Sequence, residues 1–77
     1  MKEFKSKGVY LARWNVVYRV LRKGAPKQSP DMGTIEFCPV TKKWHFVAVT
    51  SKTYTYRAYD LRGIANVLDQ VNELSKS

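Results

Sequence analysis

The clearest hydrophobic pattern lies at the end of the chain. In LRGIANVLDQVNELSKS, Leu61, Ile64, Ala65, Leu68, Val71 and Leu74 recur at helical spacing, with Arg62, Asn66, Asp69, Gln70 and Glu73 opposite. This predicts an amphipathic C-terminal helix. Asp60 stands where a carboxylate accepts the free N–H groups of a first turn, so it is the predicted N-cap. Tyr59 and Ile64 then occupy the hydrophobic-staple positions. Gly63 costs the helix up to about 1 kcal/mol, which points to close backbone packing against another element.

Upstream the period changes to two. In VYLARWNVVYRVLRK, residues 9–23, Tyr10, Ala12, Trp14, Val16, Tyr18 and Val20 fall on one face. Arg13, Asn15 and Arg19 fall on the other, mixed with Val9, Leu11, Val17 and Leu21. Alternation and β-branched content predict a strand. Val9, Ala12, Val16 and Val20 also fit a helix stopped by Gly24 and Pro26, but the strand is preferred. A strand this long needs a bend or bulge near Arg13 to Asn15, and Trp14 and Tyr18 are the rings expected to be most buried.

GAPKQSPDMG, residues 24–33, has glycine at each end and prolines inside, and reads as a loop. TIEFCP, WHFVAV and TYTYRAY follow as short strands, turned at VTKK and TSKT. In the second hairpin Val49 should face Tyr54, Val47 Tyr56, and Phe46 Arg57. The first hairpin has two registers. A three-residue turn sets Ile35 and Phe37 beside Val47 and Val49, and a two-residue turn sets them beside Phe46; one slip reverses the faces. The expected fold is α+β, a small antiparallel sheet of three to four strands with one C-terminal amphipathic helix packed on one face. The other face stays open, so some aromatics of TYTYRAYD should be exposed.

At 77 residues the chain is one small domain, 1–77. Charge sharpens the picture. Fourteen Lys and Arg against six Asp and Glu give +8, and residues 1–30 hold eight of the cations against Glu3 alone. A solubility role does not require that bias; a polyanionic partner does. Lys2, Lys5 and Lys7 make residues 1–8 a basic N-terminal arm. Cys38 is the single cysteine, so no internal disulfide forms. No apolar run reaches the roughly 18 residues of a membrane span, and MKEFKSKG lacks a signal-peptide core. The expectation is a cytoplasmic protein without a membrane partner.

Candidate chemistry is sparse. Cys38 and His45, each the only one of its kind, form a Cys–His pair only with a cleft and an orienting group that a small flat sheet does not offer. They are too few for a zinc site, and there is no Gly-rich phosphate loop. No catalysis, metal or cofactor is expected. What remains is a basic chain whose rings alternate with cations. Cations neutralise phosphates, and ring faces stack on unpaired bases. The reading is a non-enzymatic nucleic-acid-binding domain, for DNA or RNA, using a basic, aromatic sheet face and the arm. Arg13, Arg19, Arg22, Lys23, Lys42, Lys43, Lys52 and Arg57 are the candidate phosphate contacts; Trp44 and Tyr56 are the stacking candidates. The alternative is a small protein–protein interaction module, such as a phage- or plasmid-type inhibitor docking on an acidic surface of a host protein. A third reading is a homodimer through the open sheet face or edge.

Overall fold

In the computed structural model, which describes residues 3–49 and 55–75, the long period-two segment is a hairpin rather than one bent strand. Strand β1 (Lys5–Ser6) turns at Lys7–Gly8 into β2 (Val9–Trp14), and β2 turns at Asn15–Val16 into β3 (Val17–Arg22). Asn15 takes a positive φ of 58°, which asparagine tolerates better than most residues. Trp14 pairs with Val17 across this two-residue turn. The turn therefore reverses the parity of the alternation. Tyr10, Ala12 and Trp14 share a face with Val17, Arg19 and Leu21, while Val9, Leu11 and Arg13 share the other with Tyr18, Val20 and Arg22. Consequently Trp14, expected in the core, is exposed, and Tyr18 is half-buried.

Strands β4 (Gly33–Cys38) and β5 (Lys43–Ala48) complete an antiparallel meander in the order β1-β2-β3-β4-β5. Five strands replace the three to four expected. Part of the difference is the arm: Lys5 and Ser6 pair with Tyr10 and Val9, and Phe4 is buried in the core. The four-residue turn 39–42 sets Ile35 opposite Phe46 and Phe37 opposite Trp44, the register with Phe46 beside Ile35 and Phe37.

Helix α1 (Ala58–Ser75) lies on one face and touches both edge strands, β1 and β5, so the sheet curls around it. Ile64, Val67 and Val71 pack with Phe4, Val9, Val20, Met32 and Ile35. Burial of these apolar surfaces, worth about 25 cal/mol per Å², is the main favourable term. Gly63 meets the sheet as its cost foretold: a Cβ there would stand 2.7 Å from the Ser6 carbonyl oxygen. The exposed edge of β5 is closed by the helix, because Asn72 accepts from the Trp44 N–H at 2.9 Å and donates to the Trp44 carbonyl at 3.3 Å.

The expected strand TYTYRAY is not one among the described residues. Residues 55–57 are irregular and Ala58 opens the helix; residues 50–54, with the TSKT turn and Tyr54, lie outside the described residues. Tyr56 packs its ring edge-on to Phe46 at 6.1 Å, and its hydroxyl accepts from the Val49 N–H and donates to the Met32 carbonyl. Ring packing thus replaces the expected Val47–Tyr56 strand pairing.

Residues 23–32 cross back over the outer face as a strap. Arg19 holds it, donating from Nε to the Asp31 carboxylate at 3.0 Å and from its Nη atoms to the carbonyls of Lys27 and Ser29 at 2.7 and 2.6 Å. The Tyr10 hydroxyl donates to the Ala25 carbonyl. Leu21 and Ala12 are buried on this strapped side.

Candidate nucleic-acid interface

The outer face carries too little charge to be the expected basic, aromatic surface. Beyond the strap it presents Trp14, Val17, Thr34, Glu36, Cys38, Lys43, His45 and Val47. Lys43 and Glu36 are opposite charges there, and Glu36 accepts from the Thr34 hydroxyl at 2.6 Å. Arg19, the remaining cation of that face, is spent on the strap. Trp44 and Tyr56, expected as open stacking platforms, lie on the helix side. Trp44 Nε1 donates to Ser75 at 2.9 Å, and its ring sits edge-on between Tyr18 and Phe37.

The candidates divide between the two ends of the sheet. At the end holding the turns 15–16 and 39–42 are Arg13, Lys42 and Lys43. Arg13 lies over the Tyr18 ring at 4.8 Å and donates to the Asn15 carbonyl. The C-terminal half of α1 brings Asp69 beside Lys42 and Lys43, with Glu73 one turn on. Positive charge is diluted here. Lys52 lies outside the described residues.

At the other end the chain gathers cations around the start of α1. Arg22 ends β3 and Lys23 follows it, Lys7 forms the β1–β2 turn, and Arg57 and Arg62 flank the first helical turn. The Lys23 N–H donates to the Gly8 carbonyl at 2.7 Å, which brings the two turns together. Lys7 Nζ stands over the half-exposed Tyr59 ring at 5.9 Å. Lying inside the helix rather than before its cap, Tyr59 does not occupy the expected staple position.

One anion organises this end. Asp60 is 0% exposed and accepts from Arg57 Nε at 2.8 Å, Arg57 Nη2 at 3.0 Å and Arg22 Nη1 at 3.1 Å. The first helical hydrogen bond runs from the Leu61 N–H to the Arg57 carbonyl, so Arg57 is the N-cap and Asp60 lies three residues inside rather than at the cap. From there its carboxylate also reaches back to the Arg57 N–H. The Arg57 hydrogen bonds, joined by the charge of Arg22, hold its pKa below the ordinary carboxylate value against the opposing effect of burial. Gly8 makes room: a Cβ there would come within 2.8 Å of the Asp60 carboxylate. Because one carboxylate serves two guanidiniums, Lys7, Arg22, Lys23, Arg57 and Arg62 keep a large positive excess.

The sequence points to Arg22, Lys23 and Arg57 on a sheet face and to Lys7 only as part of the basic arm, and it does not single out Arg62 as a contact. The available signal was the run Arg57, Asp60, Arg62 at the start of a helix. Cations at that terminus oppose the usual preference for acids there.

Cys38 and His45 share the outer face but pair with Lys43 and Glu36 respectively. The Thr41 N–H and hydroxyl, the Val40 N–H and the His45 ring lower the Cys38 thiol to about 7. The Thr41 hydroxyl and His45 Nε2 are 2.9 Å apart. Among the described residues no three His, Cys, Asp or Glu side chains gather as a metal site would need, and no helix is long and apolar enough to cross a membrane. No protein-family model, curated protein or solved structure matches the chain.

Proposed function

We propose that the protein is a non-enzymatic nucleic-acid-binding domain that grips the phosphate backbone with the end of the molecule where α1 begins. One observation carries this reading. Lys7, Arg22, Lys23, Arg57 and Arg62 meet at the positive pole of the helix dipole, and Asp69 and Glu73 lie toward its negative pole. Stability disfavours cations at this pole by about 0.3–1 kcal/mol each near the helix end, and Asp60, the acid of the first turn, offsets only part of the five charges. A fold that bears this cost concentrates positive potential at one end, which is what attracts a polyanion.

The contacts are to phosphate rather than to stacked bases. Tyr59 is the exposed ring at this end among the described residues, and Lys7 covers it. The net excess of about four charges predicts a log–log salt slope near −3.5 on duplex DNA. Fluorescence anisotropy with labelled duplex DNA, single-stranded DNA and RNA between about 50 and 300 mM salt tests this. Micromolar, steeply salt-dependent binding is expected, strongest to a duplex. Absence of binding to all three at low salt overturns it and turns the same cations toward an acidic protein surface.

A further inference from the structure

One group at the proposed interface works against simple attraction. Asp60 is buried among the cations that gather at the start of α1. A polyanion gains nothing from a carboxylate there, and charge alone would be better served by a neutral residue. What Asp60 does is arrange its neighbours. Arg57 meets it edge-on, with Nε on one oxygen at 2.8 Å and Nη2 on the other at 3.0 Å. Arg22 Nη1 donates, at 3.1 Å, to the same oxygen that takes Arg57 Nε. Two guanidiniums that share one oxygen stand side by side. Arg22 arrives from the end of β3 and Arg57 from the helix cap, so the carboxylate is what ties the two segments' cations together. The two arginine side chains stay 40% and 59% exposed, within reach of a ligand, while Asp60 is 0% exposed.

We infer that Asp60 is a positioning residue: it sets Arg22 and Arg57 side by side as a clamp on one phosphate of the nucleic acid. This rests on the reading of that end as the nucleic-acid interface. Lysine binds phosphate as a point charge, whereas arginine binds it through a planar fork whose orientation matters. A fork held in place beforehand loses less freedom on binding. Asp60 thus gives up one unit of positive charge and gains alignment of two contacts. The sign of its effect on binding separates positioning from charge.

Duplex-DNA affinity is measured by anisotropy for the parent, Asp60→Asn, Arg22→Lys, Arg57→Lys and the double lysine variant, with circular dichroism checking the fold. Asp60→Asn takes the chain from +8 to +9 and keeps an oxygen for the Arg57 N–H. Charge alone makes this variant bind more tightly. Positioning makes it bind at least about tenfold more weakly. Each lysine variant keeps the charge and loses the fork, and is also expected to bind at least about tenfold more weakly. The double variant should bind about as weakly as either single one, because the two forks act on one phosphate. Arg13→Lys, at the opposite end, is the control and should stay within about threefold of the parent. The inference is overturned if folded Asp60→Asn binds as tightly as the parent or tighter, if either lysine variant binds like the parent, or if the two losses multiply in the double variant. If Asp60→Asn does not fold, the lysine variants decide. A parent that binds no duplex overturns the proposed interface itself and this inference with it. A parent that binds while these variants bind equally well leaves the interface standing and removes only the clamp.

Discussion

Asp60 is the single buried charged side chain among the described residues, and its partners explain why it is tolerated there. A buried carboxylate is costly unless every lone pair is used, and Arg57, Arg22 and the Arg57 N–H use them. Asp60→Asn keeps the shape and removes the charge. It should destabilise the fold by about 3 kcal/mol in urea unfolding, the low end for a broken buried pair because both guanidiniums are partly in water. The pH dependence follows from the same geometry. The folded pKa is depressed, so the stabilisation is complete above the ordinary carboxylate value and is lost as pH falls through the folded value. Wild-type stability should therefore drop below about pH 4, and Asp60→Asn should show a shallower drop. Cys38 offers a second check. With its thiol lowered to about 7, its alkylation by iodoacetamide should rise to half its maximum near that pH, and Thr41→Val should move the midpoint upward.

At the scale of elements, α1 sets stability against the proposed phosphate binding. Arg62→Glu places a carboxylate near the helix start and relieves repulsion among five cations. The variant should be more stable than the parent by about 0.5 kcal/mol in thermal unfolding, yet bind duplex DNA more weakly. A purely structural role for Arg62 would lower both. The helix itself is legible from the 3.6-residue period through Ile64, Leu68 and Val71, but its buried face is rotated from the expected one: Val67 is fully buried, while Leu61, Ala65 and Leu74 are exposed. Its start was misplaced because an aspartate serves either at the cap or three residues inside, and only the position of Arg57 decides between them. The β2–β3 turn was legible only as a bend. Asn15–Val16 lacks the glycine that usually marks a two-residue turn, and the apolar run continues through it. That one turn inverts the faces of β2 relative to β3, which is why unbroken alternation puts Trp14 in the core when the fold exposes it. Alternation in TYTYRAY mimics a strand through Tyr56, whereas its ring is held by Phe46 and its hydroxyl by Val49 and Met32.

For the whole molecule, the cations were visible in the sequence, but their gathering was not. Lys7, Arg22, Lys23, Arg57 and Arg62 meet only because two strands and the helix begin or end at one side of a curled sheet. The molecule is a small domain with opposed ends, one gathering five cations and the other a pair of apolar hairpin tips.

The most direct test of the phosphate grip compares two variants of equal net charge. Lys23→Glu with Arg62→Glu alters the proposed interface, and Lys42→Glu with Lys43→Glu alters the opposite end; each takes the chain from +8 to +4. Duplex-DNA affinity by anisotropy across a salt series is the readout. The first pair should lose about 100-fold in affinity and reduce the salt slope by about 2, while the second stays within about threefold of the parent. Equal losses in the two variants, or a greater loss in the second, would contradict the placement of the interface at the start of the helix.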